Sequence, residues 1–167
     1  MDLDWNRLME EALREAEKAF AEGEVPVGAV VARGDGTVIS RAHNRLIALN
    51  DPTAHAEILA LREACCRVRN YRLPGMVMAV TIEPCPMCMG AILQARIARL
   101  AFGAWDAKSG AAGSLYNLAA DRRLNHHVEL ITGVREEGCR RLIREFFRMR
   151  RGKIPRRSDT GEVPKWS

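Results

Sequence analysis

Hydrophobic positions recur with two different periods along the chain, and each period predicts one type of element. In residues 4–22 the apolar side chains fall every three or four positions, which predicts an amphipathic first helix that ends before Gly23. Two short β-prone runs follow at residues 27–32 and 37–42, and Asp35-Gly36 between them favours a turn. The chain is therefore predicted to begin with a helix and a β-hairpin.

Helical and strand patterns then alternate. Asp51 as cap and Pro52 as first residue predict a helix that holds His55 in its opening turn and continues to about residue 67. Pro86 predicts another helix start, with Cys85 at its cap. The remaining pattern predicts strands at residues 76–82, 97–103 and 128–132, a short helix at 116–120 and a closing helix at 136–151.

Strands separated by helices after an initial hairpin predict an α/β protein with three layers, α/β/α. We expect a mixed sheet of about five strands, parallel in its later part because helices cross between those strands. Residues 76–82 are apolar on both faces and are predicted to lie at the centre of the sheet. Residues 1–153 are interpreted as a single domain, and residues 154–167 as a disordered polar tail.

Cys85 and Cys88 have the spacing that lets two thiolates bind one metal ion at a helix start. The positive end of the helix dipole favours the thiolate, which is the form that binds zinc. A redox pair or two buried thiols would show the same spacing, so the pair alone leaves these alternatives open. His55 supplies a third ligand. Three protein ligands are typical of a catalytic zinc, whereas a structural zinc takes four.

Glu57 lies two residues beyond His55. Two residues along a helix correspond to a rotation of roughly 200°, so Glu57 is a poor second ligand for the ion that His55 binds. It is better placed to lie against a molecule bound at the metal. A carboxylate beside metal-activated water acts as a general acid and base. Taken one at a time, His55 would be an ordinary capped histidine and Glu57 an ordinary solvated acid.

The segments His55-Ala56-Glu57 and Pro84-Cys85-Pro86-Met87-Cys88 together resemble the His-x-Glu, Pro-Cys-x-x-Cys signature of the zinc nucleobase deaminases. Further segments resemble the bacterial tRNA adenosine deaminases: Asn44-Arg45 and residues 51–57, 70–73, 106–115 and 146–151. The resemblance implies a cytidine-deaminase-like fold and one zinc ion on His55, Cys85 and Cys88. It also implies hydrolytic deamination of adenosine to inosine at the wobble position of a tRNA anticodon loop, with Glu57 moving the protons.

The same resemblance implies a set of substrate-binding residues. Asn44 corresponds to an asparagine that reaches the edge of the bound base, a task suited to an amide with a donor end and an acceptor end. Asp106 and Lys108 correspond to positions near the splayed-out loop nucleotides. The RNA-contacting segment of the family corresponds to Phe146, Phe147, Arg148, Arg150 and Arg151. A homodimer is implied as well, and the Gly- and Ala-rich residues 109–114 would allow the close backbone packing of such an interface.

Basic residues concentrate near the end of the chain. The net charge of +5 and the pI near 9.2 indicate only that an anionic partner is tolerated. Between Arg140 and Arg157, however, nine basic residues accompany one acid, Glu145, which favours an RNA substrate. A solvated helix face is the alternative. The inner face of this closing helix is predicted to contain Leu142, Ile143, Phe146 and Phe147.

The remaining composition predicts a cytoplasmic protein. Cys65, Cys66 and Cys139, left over from the metal site, are interpreted as reduced thiols. No apolar run approaches the length of a membrane span, and the acidic residues Asp2 and Asp4 are untypical of a signal peptide.

Two other functions stay open at this level. A deaminase of a free nucleobase or nucleoside, such as guanine or cytidine, would use the same zinc and glutamate. A non-enzymatic zinc module that binds nucleic acid or protein would need a fourth protein ligand and would leave Glu57 without a purpose.

Overall fold

The computed structural model describes residues 3–153, and the predicted tail at residues 154–167 lies outside this range. The elements are, in chain order, α1 (Trp5–Ala21), β1 (Gly28–Ala32), β2 (Val38–His43), α2 (Leu46–Leu49), α3 (Ala56–Val68), β3 (Val77–Ile82), α4 (Pro86–Gln94), β4 (Arg99–Ala104), a 3₁₀ turn (Leu118–Ala120), β5 (Glu129–Thr132) and α5 (Glu136–Lys153). The 3₁₀ turn falls where the short helix was predicted. None of the helices in the described range has the length and apolar character needed to cross a membrane.

The five strands form one mixed sheet in the order β2-β1-β3-β4-β5. Strand β1 is antiparallel to both β2 and β3, whereas β3, β4 and β5 run parallel to one another. Helix α4 supplies the crossover from β3 to β4, as parallel neighbours require. The predicted fold class, with a mixed sheet that is parallel in its later part, is confirmed.

Alternate side chains of the central strand β3 divide the interior into two cores. Val77 and Ala79 pack in a core with residues of α1 and α5, while Met78 and Val80 pack in a core with residues of α3 and α4. Helix α1 lies so close to β1 that a Cβ on Gly28 would sit 1.9 Å from the Ala12 carbonyl oxygen. The three layers α1/α5, sheet and α3/α4 follow from this packing.

Helix α3 begins at Ala56, four residues later than predicted. Asp51 does not cap the helix, because its carboxylate accepts hydrogen bonds from the N–H and hydroxyl of Thr53, at 2.8 and 2.7 Å, and closes a local turn. His55 is the extended residue at the N-cap, with φ −69° and ψ 150°. The first helical N–H, that of Ala56, donates to Asn44 Oδ1 at 2.9 Å. A side chain twelve residues upstream therefore caps the helix.

The closing helix α5 turns the predicted face inward at Ile143 and Phe146 but not at Phe147. Phe146 is 5% exposed and its ring centroid lies 5.6 Å from that of Phe20 on α1, whereas Phe147 is 41% exposed. Consecutive helical residues point about 100° apart, so the two rings cannot both face the core. The prediction of Phe147 on the inner face is wrong; Cys139 and Ile143 pack inward with Phe146.

Candidate active site

Two helix starts bring the predicted metal ligands together. His55 is the N-cap of α3, and Cys85 is the N-cap of α4 with Pro86 as the first helical residue, as predicted. Nδ1 of His55 lies 3.8 Å from Cys85 Sγ and 3.5 Å from Cys88 Sγ. The ligand atoms of these three residues all lie within 4.8 Å of one another. The start of α3, which precedes β3, and the start of α4, which follows β3, therefore bring a histidine and two cysteines to one point.

The spacing of these atoms fits a tetrahedral zinc ion. Bond lengths of about 2.3 Å to sulfur and 2.0 to 2.1 Å to nitrogen place nitrogen and sulfur about 3.6 Å apart at the tetrahedral angle, close to the separations in the structure. Within residues 3–153, no fourth histidine, cysteine or carboxylate joins the group. Three protein ligands leave one position open, as in catalytic zinc sites.

The thiols are already polarised before a metal binds. A hydrogen bond from the Cys88 thiol, with a smaller contribution from His55, lowers the pKa of Cys85 to about 4. The same hydrogen bond raises the pKa of Cys88, because its proton is held between the two sulfurs. The hydrogen bond with Cys85 also raises the pKa of His55. One thiolate is thus preformed, beside the positive ends of two helices.

Glu57 is 2% exposed and lies in the first turn of α3. Burial raises the pKa of its carboxyl group. Its Oε2 is the buried side-chain oxygen that finds no hydrogen-bond partner among the described residues. Because His55 is extended and not helical, the predicted rotation between the two residues does not apply, yet Glu57 still stays out of the ligand group. An unpaired oxygen at this position is available to a molecule bound beside the metal site.

Asn44 is 6% exposed, and its amide orientation is fixed by the helix that it caps. Since Oδ1 accepts the Ala56 N–H at 2.9 Å, the Nδ2 end is left to donate to a bound molecule. One side chain thus connects the start of α3 with the site.

A cavity of about 290 Å³ joins these residues. Its volume is at the low end of small-molecule pockets, about 300 to 1,000 Å³, which suits one base and not a longer piece of nucleic acid. Of the predicted site residues, the cavity is lined by His55, Glu57, Cys85, Asn44, Asp106 and Arg150.

The other predicted RNA contacts lie outside the cavity. Lys108 is exposed on the loop after β4, and Phe147, Arg148 and Arg151 are exposed on α5. Phe146 is buried against Phe20, so it supports α5 and presents little surface to a ligand. The guanidinium of Arg150 lies 5.6 Å from the Phe146 ring centroid, and Arg150 itself reaches the cavity.

Two buried acids that line the cavity were given no role from the sequence. Glu24 accepts the N–H groups of Ile47 and Ala48 at 2.8 and 2.9 Å, and thereby fixes α2 at the rim. Glu83 accepts hydrogen bonds from the loop after β4. The sequence signal for Glu83 was weak: it is an acid that directly follows the apolar strand β3 and precedes the Pro84-Cys85 pair.

A three-ligand metal group, a buried unpaired carboxylate and a base-sized cavity on this fold define a zinc-dependent deaminase. Residues 4–104 match the cytidine and deoxycytidylate deaminase zinc-binding region, and the chain belongs to that family. It is 46% identical to the tRNA-specific adenosine deaminase of Bacillus subtilis (strain 168) over 145 residues, which cover 87% of this chain and 89% of the relative.

Solved structures agree with this assignment. One from biochemical and structural studies of A-to-I editing by tRNA:A34 deaminases at the wobble position of transfer RNA has a TM-score of 0.79 and 44% identity, and covers 81% of this chain and 98% of the other. The guanine deaminase from Nitrosomonas europaea has a TM-score of 0.75 at 22% identity, covering 86% of this chain and 85% of its own. At that identity the likeness shows the fold alone.

Proposed function

We propose that this protein deaminates adenosine to inosine at the wobble position of a tRNA anticodon loop. The observation that carries the proposal is the position of α5: Arg150, near its end, lines the cavity that contains Glu57, and the exposed Arg148 and Arg151 flank it. A base can therefore enter the cavity while its phosphates meet arginines. The similarity to a tRNA-specific adenosine deaminase supports the same substrate.

The residues divide the reaction between them. His55, Cys85 and Cys88 would hold zinc, which supplies Lewis-acid activation of water at neutral pH. Glu57 takes a proton from the attacking water, delivers it to N1 of adenine beside the amine-bearing carbon, and then assists the departure of ammonia. Asn44 donates its Nδ2 hydrogen bond to an acceptor on the base and holds it against Glu57.

The cavity also explains why a loop nucleotide is a suitable substrate. A volume of about 290 Å³ admits one base and leaves its neighbours on the surface. The base must then leave its stack, which costs least in a single-stranded loop. Asp106 and Lys108 stand on the loop that borders the opening, where the flanking nucleotides would lie.

The arginines of α5 provide a matched test of RNA binding. Arg140 pairs with Glu136 and Arg144 with Glu137, whereas no carboxylate in residues 3–153 pairs with Arg148 or Arg151. We expect the double change Arg148→Ala and Arg151→Ala to weaken tRNA binding and flatten the plot of log affinity against log salt by about 1.4 units, since each phosphate contact to a single strand contributes about 0.7.

The control is the double change Arg140→Ala and Arg144→Ala, which removes the same charge from the paired half of α5. Affinity measured by filter binding over a range of salt concentrations should change much less for this control. An equal loss of slope for both pairs would mean that net charge and not the free end of α5 binds RNA.

We also propose that the protein is a homodimer. Tyr71, Leu115 and Tyr116 are 72%, 54% and 57% exposed, so they offer apolar surface to a second copy of the chain. Tyr71 borders an apolar cavity of about 400 Å³ between α3 and α4, where Ile58, Leu61 and Ala91 contribute. Sedimentation velocity at micromolar concentration should give a species of twice the chain mass, 18.7 kDa. A monomer under these conditions would refute this proposal.

The function itself is tested by comparing substrates. Zinc-loaded protein should release ammonia from a tRNA with adenosine at the wobble position and much more slowly from free adenosine, guanine or cytidine. Faster release of ammonia from guanine than from the tRNA would mean that the protein is a small-molecule deaminase. The basic residues of α5 would then be only a solvated helix face.

A further inference from the structure

Glu83 directly follows β3 and is 2% exposed, because the loop after β4 packs around its side chain. Its Oε2 accepts the N–H of Asp106 at 2.9 Å and the hydroxyl of Ser114. Its Oε1 accepts the N–H groups of Ala112 and Ser114 at 3.1 and 2.9 Å. Four donors from residues 106–114 thus converge on one carboxylate.

This carboxylate has an unusual environment for a buried acid. Among the described residues, its hydrogen-bond partners are backbone N–H groups and the Ser114 hydroxyl, with no lysine, arginine or histidine. A buried charge is costly unless it is well hydrogen-bonded, and hydrogen bonds to an ionised acceptor are shorter and stronger than neutral ones. Three backbone N–H groups and the Ser114 hydroxyl of the loop therefore supply this compensation, and the loop is held to the position of Glu83.

The loop packs so closely around Glu83 that a side chain at position 110 has no room. A Cβ on Gly110 would lie 2.2 Å from Cδ and from Oε2 of Glu83, and 2.6 Å from the carbonyl oxygen of Asp106. That carbonyl oxygen accepts the Gly110 N–H at 2.8 Å. A side chain at position 110 must therefore displace either the carboxylate or the loop.

The held loop forms one wall of the active-site cavity. Asp106 and Ser109 line the cavity together with Glu57 and His55, and Glu83 reaches it from below the loop. The N–H of Ala111 also donates to the carbonyl oxygen of Pro84 at 2.8 Å, so backbone contacts keep the loop attached when Glu83 is changed. Loss of the carboxylate should loosen this wall without releasing it.

We propose that Glu83 is a positioning residue that fixes the Asp106–Ser114 wall for substrate binding. The proposal rests on the function proposed above, since it assigns the wall to the recognition of the nucleotides around the reacting base. Glu83 acts through the loop and not on the reacting atoms. Its loss should therefore raise KM and leave kcat little changed, the pattern of an interaction that contributes equally to ground state and transition state.

Two variants test this from opposite sides of the contact. Glu83→Gln keeps the shape and turns one acceptor oxygen into a donor that faces N–H groups. Gly110→Ala keeps the carboxylate but forces it and the loop apart. Gly138→Ala is the control, because its Cβ would meet only Leu13 Cδ1, at 3.8 Å. Each protein is assayed on an anticodon stem-loop RNA with adenosine at the wobble position, with zinc content and amide hydrogen exchange measured alongside.

We expect both test variants to keep one zinc per chain, and to raise KM by at least about tenfold, the effect of losing one hydrogen bond to a charged group, with kcat within about threefold. The amides of Asp106, Ala112 and Ser114 should exchange at least about tenfold faster. Unchanged exchange, or faster exchange with unchanged KM, would overturn the proposal. So would loss of zinc from Gly110→Ala, since it would show that the contact supports the metal site instead. An inactive wild type would instead refute the proposed function.

Discussion

Glu57→Gln is expected to lower kcat by about 10²- to 10⁴-fold, the usual contribution of a positioned general acid and base, while the protein keeps its zinc and its affinity for RNA. Glutamine preserves the shape of the buried side chain but cannot take up and release the proton. Glu57 is suited to the role because it is buried beside His55 and Cys85 with an unpaired oxygen. Single-turnover deamination and metal analysis measure the two effects separately.

Glu63→Gln is the matched control for this experiment. Glu63 is on the same helix, but it is a surface residue paired with Arg67, so its change should leave kcat within about twofold. Loss of zinc from Glu57→Gln would identify Glu57 as a metal ligand. Nearly full activity would show that another group moves the proton, and either result would contradict the mechanism.

Cys88→Ala is expected to abolish both zinc binding and activity. Cys88 is fully buried, and its sulfur lies 3.5 Å from His55 Nδ1, so an ion at this site ties α3 to α4. A ligand present at a thousandfold excess over its Kd stabilises the fold by about 4 kcal/mol, which corresponds to about 8 to 16 °C in Tm for a chain of this size. Metal analysis and thermal unfolding should show both losses.

Addition of a strong chelator provides the complementary measurement. The chelator should lower the Tm of the wild type toward that of Cys88→Ala and leave the variant unchanged. Cys66→Ala, at an exposed cysteine of α3, should behave as the wild type does. Retention of one zinc per chain by Cys88→Ala would contradict the assigned ligand set.

The metal group was predictable because its signature is local. The Cys-x-x-Cys spacing and Pro86 define a helix start by themselves, and the structure places Cys85 at the cap. The predicted start of α3 was wrong for the opposite reason. A strong local signal at Asp51 outweighed the true cap, which comes from a residue distant in the sequence. Asp51 closes a turn with Thr53, and the cap comes from Asn44 on the segment after β2.

Glu24 and Glu83 show why part of the site could not be predicted. Their partners are backbone N–H groups 23 to 31 residues away along the chain. A backbone N–H group gives no signal in the sequence that would identify it as a partner. Phe147 was misplaced because two adjacent phenylalanines satisfy the apolar pattern equally well, and only the contact of Phe146 with Phe20 decides between them.

The measurement that tests the central claim most directly is the position of inosine in an edited RNA. Two anticodon stem-loops of equal composition are needed, one with adenosine at the wobble position and one with that adenosine moved to the neighbouring loop position. Nucleoside mass spectrometry after incubation with zinc-loaded protein should detect inosine in the first RNA and almost none in the second. Equal inosine in both RNAs, or none in either while free guanine or cytidine is consumed, would contradict the account.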